Sequence, residues 1–254
     1  MERIRKPFQG IWNIIRFNWH FYILSGLLIF LACCFNTFLQ TPYYYFINVF
    51  CLLVILTTII SLLVSFYVYD LSGLYKLNWL EELMIESNKK IVNINAGFDE
   101  TSILLKAKFP NAELVALDFY DPKKHTEISI KRARKAYPPF PGTKQVNTSR
   151  LSLKDNYADA IFVILSAHEI RNEQERNIFF CELKRILQPD GKIIVTEHLR
   201  DIPNFLAYNI GFFHFMPKVS WYKTFTNAGL HISKEIKITP FITTFILEKY
   251  GNTN

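Results

Sequence analysis

Between residues 17 and 69 the chain carries no aspartate, glutamate, lysine or arginine. A stretch of that length cannot sit on the surface of a water-soluble domain, because a surface helix needs a polar face. About 20 apolar residues in helical rise cross the hydrocarbon core of a bilayer, and two such lengths are present. Residues 21–39 make the first, Pro42 interrupts, and residues 43–69 make the second. The reading is a two-helix transmembrane hairpin over residues 17–70. Tyr43, Tyr44 and Tyr45 form an interfacial aromatic belt at one edge, and Trp12 and Trp19 at the other. A signal peptide has an apolar core of about 7–15 residues and no second span. Asn36, Asn48 and His20 are polar groups inside or beside the spans and read as makers of helix–helix hydrogen bonds. The spans hold no ionisable residues of the kind that mark a transport path.

Residues 1–16 form a basic N-terminal tail, and the segment after the hairpin is again basic. The positive-inside rule puts both ends in the cytoplasm and makes the chain an integral protein of the cytoplasmic membrane, with membrane lipids as partners. The formal net charge is +7, from 29 basic and 22 acidic residues, which suits the anionic face of a membrane. Aromatic and basic residues do not alternate as on an RNA-binding platform, so no nucleic-acid partner is expected. The 4 cysteines form no C-x-x-C pair and have no histidine at metal-ligand spacing. They read as apolar fillers, and no metal site is expected. Leu74, Leu77, Leu80 and Leu83 recur every third residue, which predicts an amphipathic juxtamembrane helix over residues 71–90.

Beyond it the pattern alternates. Strand-like runs fall at 91–94, 113–117, 145–147, 159–165, 192–197, 232–238 and 241–247. Helical patterns fall at 99–108, 122–137, 173–187 and 219–228. Residues 161–165 are apolar throughout, as in a central parallel strand covered on both faces. The last two strands, joined through Pro240, predict an antiparallel edge hairpin. The fold class is therefore α/β: residues 91–254 form a doubly wound, mostly parallel seven-stranded sheet, preceded by two transmembrane α-helices. Open α/β sheets bind ligands beyond the carboxyl ends of their strands. The residues there are Asn93 to Thr101 after the first strand, Asp118 after the second and Asn147 after the third. Ser166, His168 and Glu169 follow the fourth, and Glu197 and His198 the fifth.

Three segments in register carry a family resemblance over about residues 89–250. They are LKDNYADAIFVILSAHEI, ELKRILQPDGKIIVTEHL and SWYKTFTNAGL. The chain resembles the class I S-adenosylmethionine (SAM) dependent methyltransferases, whose Rossmann-like domain binds SAM as methyl donor. The resemblance implies that Asp118 binds the ribose hydroxyls, because a carboxylate accepts the two hydrogen bonds a diol offers. It implies that Asn147 and Thr148 meet the adenine, and that Asn93, Asn95, Gly97 and Ser166 line the rest of the cofactor site. In the family, an acid and three glycines alternate after the first strand; Asn93, Asn95, Gly97 and Asp99 stand there in this chain. Asn tolerates left-handed backbone angles better than most residues, and Asp99 reads as a helix N-cap.

Methyl transfer needs alignment of a nucleophile and exclusion of water, with a general base for a hydroxyl or protonated amine. His168 and Glu169 are the candidate catalytic residues, with His198 next and then His214. His214 lies in an aromatic insert, 202–218, that would make an apolar acceptor pocket. The basic cluster Lys131, Arg132, Arg134 and Lys135 reads as a solvated helix face. The expected function is a membrane-anchored methyltransferase acting on a hydrophobic or lipid-like small molecule. The alternative, motivated by the glycine-poor loop, is an inactive methyltransferase-like domain serving as a membrane-tethered scaffold.

Overall fold

The computed structural model describes residues 5–83 and 89–250. Two long helices come first, α1 at Gln9–Asn36 and α2 at Tyr43–Phe66. Both are long and apolar enough to cross a membrane. Only 6% and 11% of their most apolar windows are buried inside the protein, which is not how the core helix of a soluble domain is covered. Phe21, Leu24, Leu28, Leu52 and Leu63 all point outward. Asn36 Nδ2 donates to Asn48 Oδ1 at 2.9 Å, the interhelical bond the sequence suggests.

Helix α1 begins earlier than expected, so residues 9–16 are not a tail. The cause is a cap supplied from far along the chain. The Asp70 carboxylate accepts from Gly10 N and Ile11 N, both at 2.8 Å, where free backbone N–H groups and the helix dipole favour an anion. Gly10 permits the approach, because a Cβ there would lie 2.4 Å from Tyr69 Cβ. Glu100 adds a second clamp, accepting from Arg5 at 2.6 Å, Asn13 at 3.3 Å and Tyr75 at 2.9 Å. The first turns of α1 thus lie on the following domain.

The juxtamembrane helix is also corrected. After α2 the chain makes one wide turn at Tyr67–Leu71 and tight 3-10 turns at Leu74–Lys76 and Asn78–Leu83. Left-handed angles at Gly73 (φ 82°) and Leu77 (φ 56°) interrupt any longer helix. The leucines of the periodic pattern face the sheet rather than a membrane. Leu77, Leu80 and Leu83 pack with Phe162, Ile194 and Ile246. Residues 84–88 of that expected helix lie outside the described residues.

The sheet has seven strands. They are β1 Lys90–Asn95, β2 Glu113–Asp118, β3 Lys144–Gln145, β4 Ala158–Ile164, β5 Leu187–His198, β6 Leu230–Thr239 and β7 Ile242–Lys249. Their order is β3-β2-β1-β4-β5-β7-β6. The first five are parallel, and β7 runs antiparallel to both β5 and β6. The terminal hairpin therefore forms, with β6 as the edge strand. Lys234, Glu235 and Lys237 suit that exposed edge, while Ile242, Phe245 and Leu247 of β7 are fully buried. The third strand is shorter than expected and leaves Asn147 beyond its end.

Five helices cover the sheet: α3 Ser102–Lys108, α4 Ile128–Ala136, α5 Glu173–Ile186, α6 Ile202–Tyr208 and α7 Lys218–Asn227. Phe179, Phe180, Trp221, Phe225 and Phe245 form the aromatic centre of the larger core. The chain runs outward from β1 to β3 and then returns to β4 beside β1. That reversal opens a crevice at the carboxyl ends of β1 and β4, the position where such sheets bind ligands.

Candidate active site at the carboxyl edge of the sheet

A cavity of about 330 Å³ occupies this crevice. Ala96 and Phe98 follow β1, Leu165 and His168 follow β4, and His198 ends β5. Helix α1 closes the top with Asn13, Ile14 and Phe17. Arg132 on α4 holds the roof in place, donating to the Phe17 carbonyl at 2.7 Å and bonding His20 Nδ1 at 2.8 Å. Tyr137 adds a bond to Asn13 Oδ1 at 2.9 Å. The same helix continues into the exposed apolar hairpin, so the cavity sits directly beneath it.

A second cavity of about 210 Å³ lies beyond β2 and β3. Phe119, Tyr120, Val146, Asn147 and Thr148 line it. Asn147 Oδ1 accepts from Ser149 N at 2.9 Å, and the Thr148 hydroxyl donates to Glu175 at 2.6 Å. Asp118 is buried at the end of β2. Its Oδ1 accepts from Tyr120 N at 2.8 Å, and Arg134 Nη1 donates to its Oδ2 at 2.6 Å. Arg134 also reaches the Gly97 carbonyl at 3.2 Å and covers the Tyr120 ring at 4.3 Å. Sequence reading placed Arg134 on a solvated face; instead it bridges the tip of β1 to the acid of β2.

Gly97 has φ 98°, and a Cβ there would meet Arg134 Nη1 and the Tyr120 ring at 2.9 Å. The surviving glycine is thus the one whose backbone angle and crowding require it. Asn95 is buried, donates to Leu117 O at 3.2 Å and accepts from Gly97 N at 3.0 Å, so its side chain closes the turn. Asn93 donates to Thr101 and Ser102 hydroxyls, both at 2.8 Å, and Asp99 caps α3 through Thr101 N and Ser102 N. Asn93 Oδ1 and Asp99 Oδ2 are buried and have no hydrogen-bond partner. Buried acceptors of this kind ask for a donor, and an ammonium-bearing ligand is one. Ser166 is buried and donates to the Ile94 carbonyl at 2.9 Å, holding β4 against β1.

On the other side of the first cavity lies a titratable cluster. His168 Nδ1 bonds the buried Glu197 carboxylate at 2.6 Å. Its Nε2 lies 3.4 Å from Glu169 Oε1. Burial opposes the charged form of His168, but Glu197 and Glu169 outweigh it and push its pKa up to about 10. Burial alone would raise Glu169; His168 and His214 instead hold it well below the usual carboxylate range. His214 reaches Glu127 at 3.2 Å and Glu169 at 3.6 Å. Arg171 donates to the His214 carbonyl. His198 differs from the other two histidines. Its Nδ1 meets Asn204 Oδ1 at 3.0 Å, its Nε2 meets the Tyr69 hydroxyl at 2.8 Å, and Phe215 stacks on it at 4.6 Å. Burial takes its pKa down to about 4. Both ring nitrogens of His198 are engaged, and its ring forms part of the cavity wall.

Glu197, Glu127, Arg134 and Arg171 carry no assigned role in the sequence reading. Only Glu197 had a signal, its place at the end of the fifth strand. Glu127 and Arg134 reach the site from the start and the body of α4, and Arg171 follows Glu169 by two residues.

Residues 93–195 match the protein family described as a methyltransferase domain. A curated relative, the ubiquinone/menaquinone biosynthesis C-methyltransferase UbiE of Syntrophotalea carbinolica, is 26% identical over 153 residues. That match covers 57% of this chain and 60% of the relative, so the chain spans under two thirds of the relative's length. Among solved structures, a SAM-dependent methyltransferase from Aquifex aeolicus superposes with a TM-score of 0.51 at 14% identity, covering 75% of this chain and 97% of its own. The cyclase SpnF gives a TM-score of 0.51 at 13% identity, covering 72% of this chain and 82% of its own. These structures share the fold.

Proposed function

We propose that this chain, whose domain beyond the hairpin is a class I SAM-dependent methyltransferase domain, methylates a hydrophobic small molecule that reaches the site from a bilayer. One observation carries the proposal: the roof of the cavity is the first half of a helix whose second half is an exposed apolar rod. An acceptor dissolved in lipid thus has a route along α1 to the carboxyl edge of the sheet. The hairpin would span the cytoplasmic membrane, with the N-terminus and the domain on the cytoplasmic side. The relative named for ubiquinone and menaquinone biosynthesis supports an acceptor of this class.

The residues present suit SAM. Asp118 would hold the ribose hydroxyls in exchange for Arg134, and Asn147 and Thr148 would meet the adenine in the second cavity. Asn93 and Asp99 hold unpartnered buried acceptors near the loop that would face the methionine ammonium. SAM supplies a methyl group already activated on a sulfonium, so the protein's task is orientation and exclusion of water. Phe17, Phe98 and Phe215 line the cavity and exclude water. Glu169 faces the same space and would receive a hydrogen bond from the acceptor, fixing the direction of its lone pair, while His168 beside it holds the carboxylate in place.

The test uses the purified full chain in vesicles made from a membrane lipid extract, with methyl-labelled SAM. Label in the organic-extractable fraction is expected; label confined to water-soluble products overturns the proposal. The scaffold reading draws on the Arg134–Asp118 pair, which occupies the ribose carboxylate. Calorimetric titration separates the two, since absence of S-adenosylhomocysteine binding at millimolar ligand favours the scaffold.

A further inference from the structure

We infer that His168, Glu169 and His214 form a binding site for one divalent transition-metal ion of the zinc class. The inference does not depend on methyl transfer. Glu169 Oε1 lies 3.4 Å from His168 Nε2 and 3.6 Å from His214 Nε2. Both separations are longer than good N–H···O hydrogen bonds, about 2.7–3.2 Å. They are close to the edge of a tetrahedron, since ligand atoms about 2.0–2.1 Å from a shared ion lie about 3.3–3.4 Å apart. All three ligand atoms fall within 4.8 Å of one another.

The outer contacts point the same way. A metal-binding histidine normally gives its other ring nitrogen to a carboxylate, which sets tautomer and ring orientation. Here His168 does so through Nδ1, to Glu197 at 2.6 Å, and His214 Nδ1 lies 3.2 Å from Glu127, a nitrogen that Arg171 also contacts. Both Nε2 atoms are thereby turned toward Glu169. Two imidazoles and one carboxylate are the donor set of open zinc sites, which leave a further position free. All three residues line the large cavity, so that position opens into it.

One group opposes an ion. Arg171 Nη2 lies 2.5 Å from His214 Nδ1 and 3.0 Å from its Nε2. Its side chain is 44% exposed, so it can turn out into solvent. Arg171 therefore competes with the metal, and its removal should tighten binding.

The experiment takes the full chain in detergent, carrying no affinity tag, stripped with a chelator and then titrated with Zn²⁺ or Co²⁺ in the absence of SAM and acceptor. One equivalent of Zn²⁺ by elemental analysis and a visible tetrahedral Co²⁺ spectrum are expected. Glu169→Gln and His214→Ala should each weaken binding about 100-fold or more, and Glu197→Gln about 10–100-fold. Arg171→Ala should strengthen it, and because Arg171 is exposed this variant does not depend on a fragile core. His231→Ala serves as a control and should bind as the parent does. Substoichiometric uptake, or uptake that Glu169→Gln and His214→Ala leave unchanged with folding confirmed by melting curves, overturns the inference.

Discussion

Replacing Arg134 by methionine should tighten binding of S-adenosylhomocysteine. Methionine keeps an unbranched apolar stem and removes the guanidinium. In the parent, Arg134 Nη1 holds Asp118 Oδ2 at 2.6 Å, and Asp118 cannot serve both that donor and a ribose diol without exchange. A hydrogen bond between charged groups contributes about 1.5–3 kcal/mol when shielded, and an exposed ion pair about 0.2–1 kcal/mol. The Asp118 side chain is 4% exposed and that of Arg134 32%, so an intermediate value of about 1–2 kcal/mol is appropriate. Since about 1.4 kcal/mol is a tenfold change, the dissociation constant should fall roughly 5- to 30-fold by isothermal titration. The variant should also be less stable, because the buried carboxylate keeps only the Tyr120 amide as partner. Weaker binding by Arg134→Met would refute the reasoning and make the guanidinium a cofactor contact. Asp118→Ala separates the two roles, since it should abolish binding in both backgrounds.

Other outcomes follow from single contacts. His198 is buried neutral, with its pKa taken from 6.5 down to about 4; the unfolded chain binds the extra proton first, so stability is full above pH 6.5 and falls by roughly 3 kcal/mol as pH drops to 4. Chemical unfolding between pH 4 and 7 should show this slope, and His198→Phe should flatten it. Gly10→Val places its Cβ against Tyr69 Cβ at 2.4 Å, so α1 should lift from the domain, and amide exchange across residues 9–18 should rise at least tenfold. Unchanged exchange would mean that the Asp70 cap does not hold the roof. Phe180→Ala removes a fully buried ring that packs on Phe225 at 5.1 Å, and thermal unfolding should report a loss of about 3–5 kcal/mol.

Local and periodic features were legible in the chain. An uncharged stretch of this length suits apolar helices, because intrahelical bonds satisfy every backbone group within the segment. A run that is apolar throughout, as in 161–165, suits a strand buried on both faces, and with three motifs in register such runs pointed to the sheet and its binding edge. Asp118 ends β2, and Asn147 and His168 follow the ends of β3 and β4 by two and four residues. What the spacing of residues could not express was which distant groups would meet. The leucines of 74–83 look identical whether they face lipid or a sheet, and left-handed turns at Gly73 and Leu77 decided it. Arg134 on a helix face has the same pattern whether water or Asp118 receives it. The pairing of Glu169 with His214, 45 positions apart in the sequence, exists only because the insert after β5 folds back over the end of β4. Such meetings depend on three-dimensional closure, where burial and charge select one partner from many, and no periodicity along a chain encodes that choice.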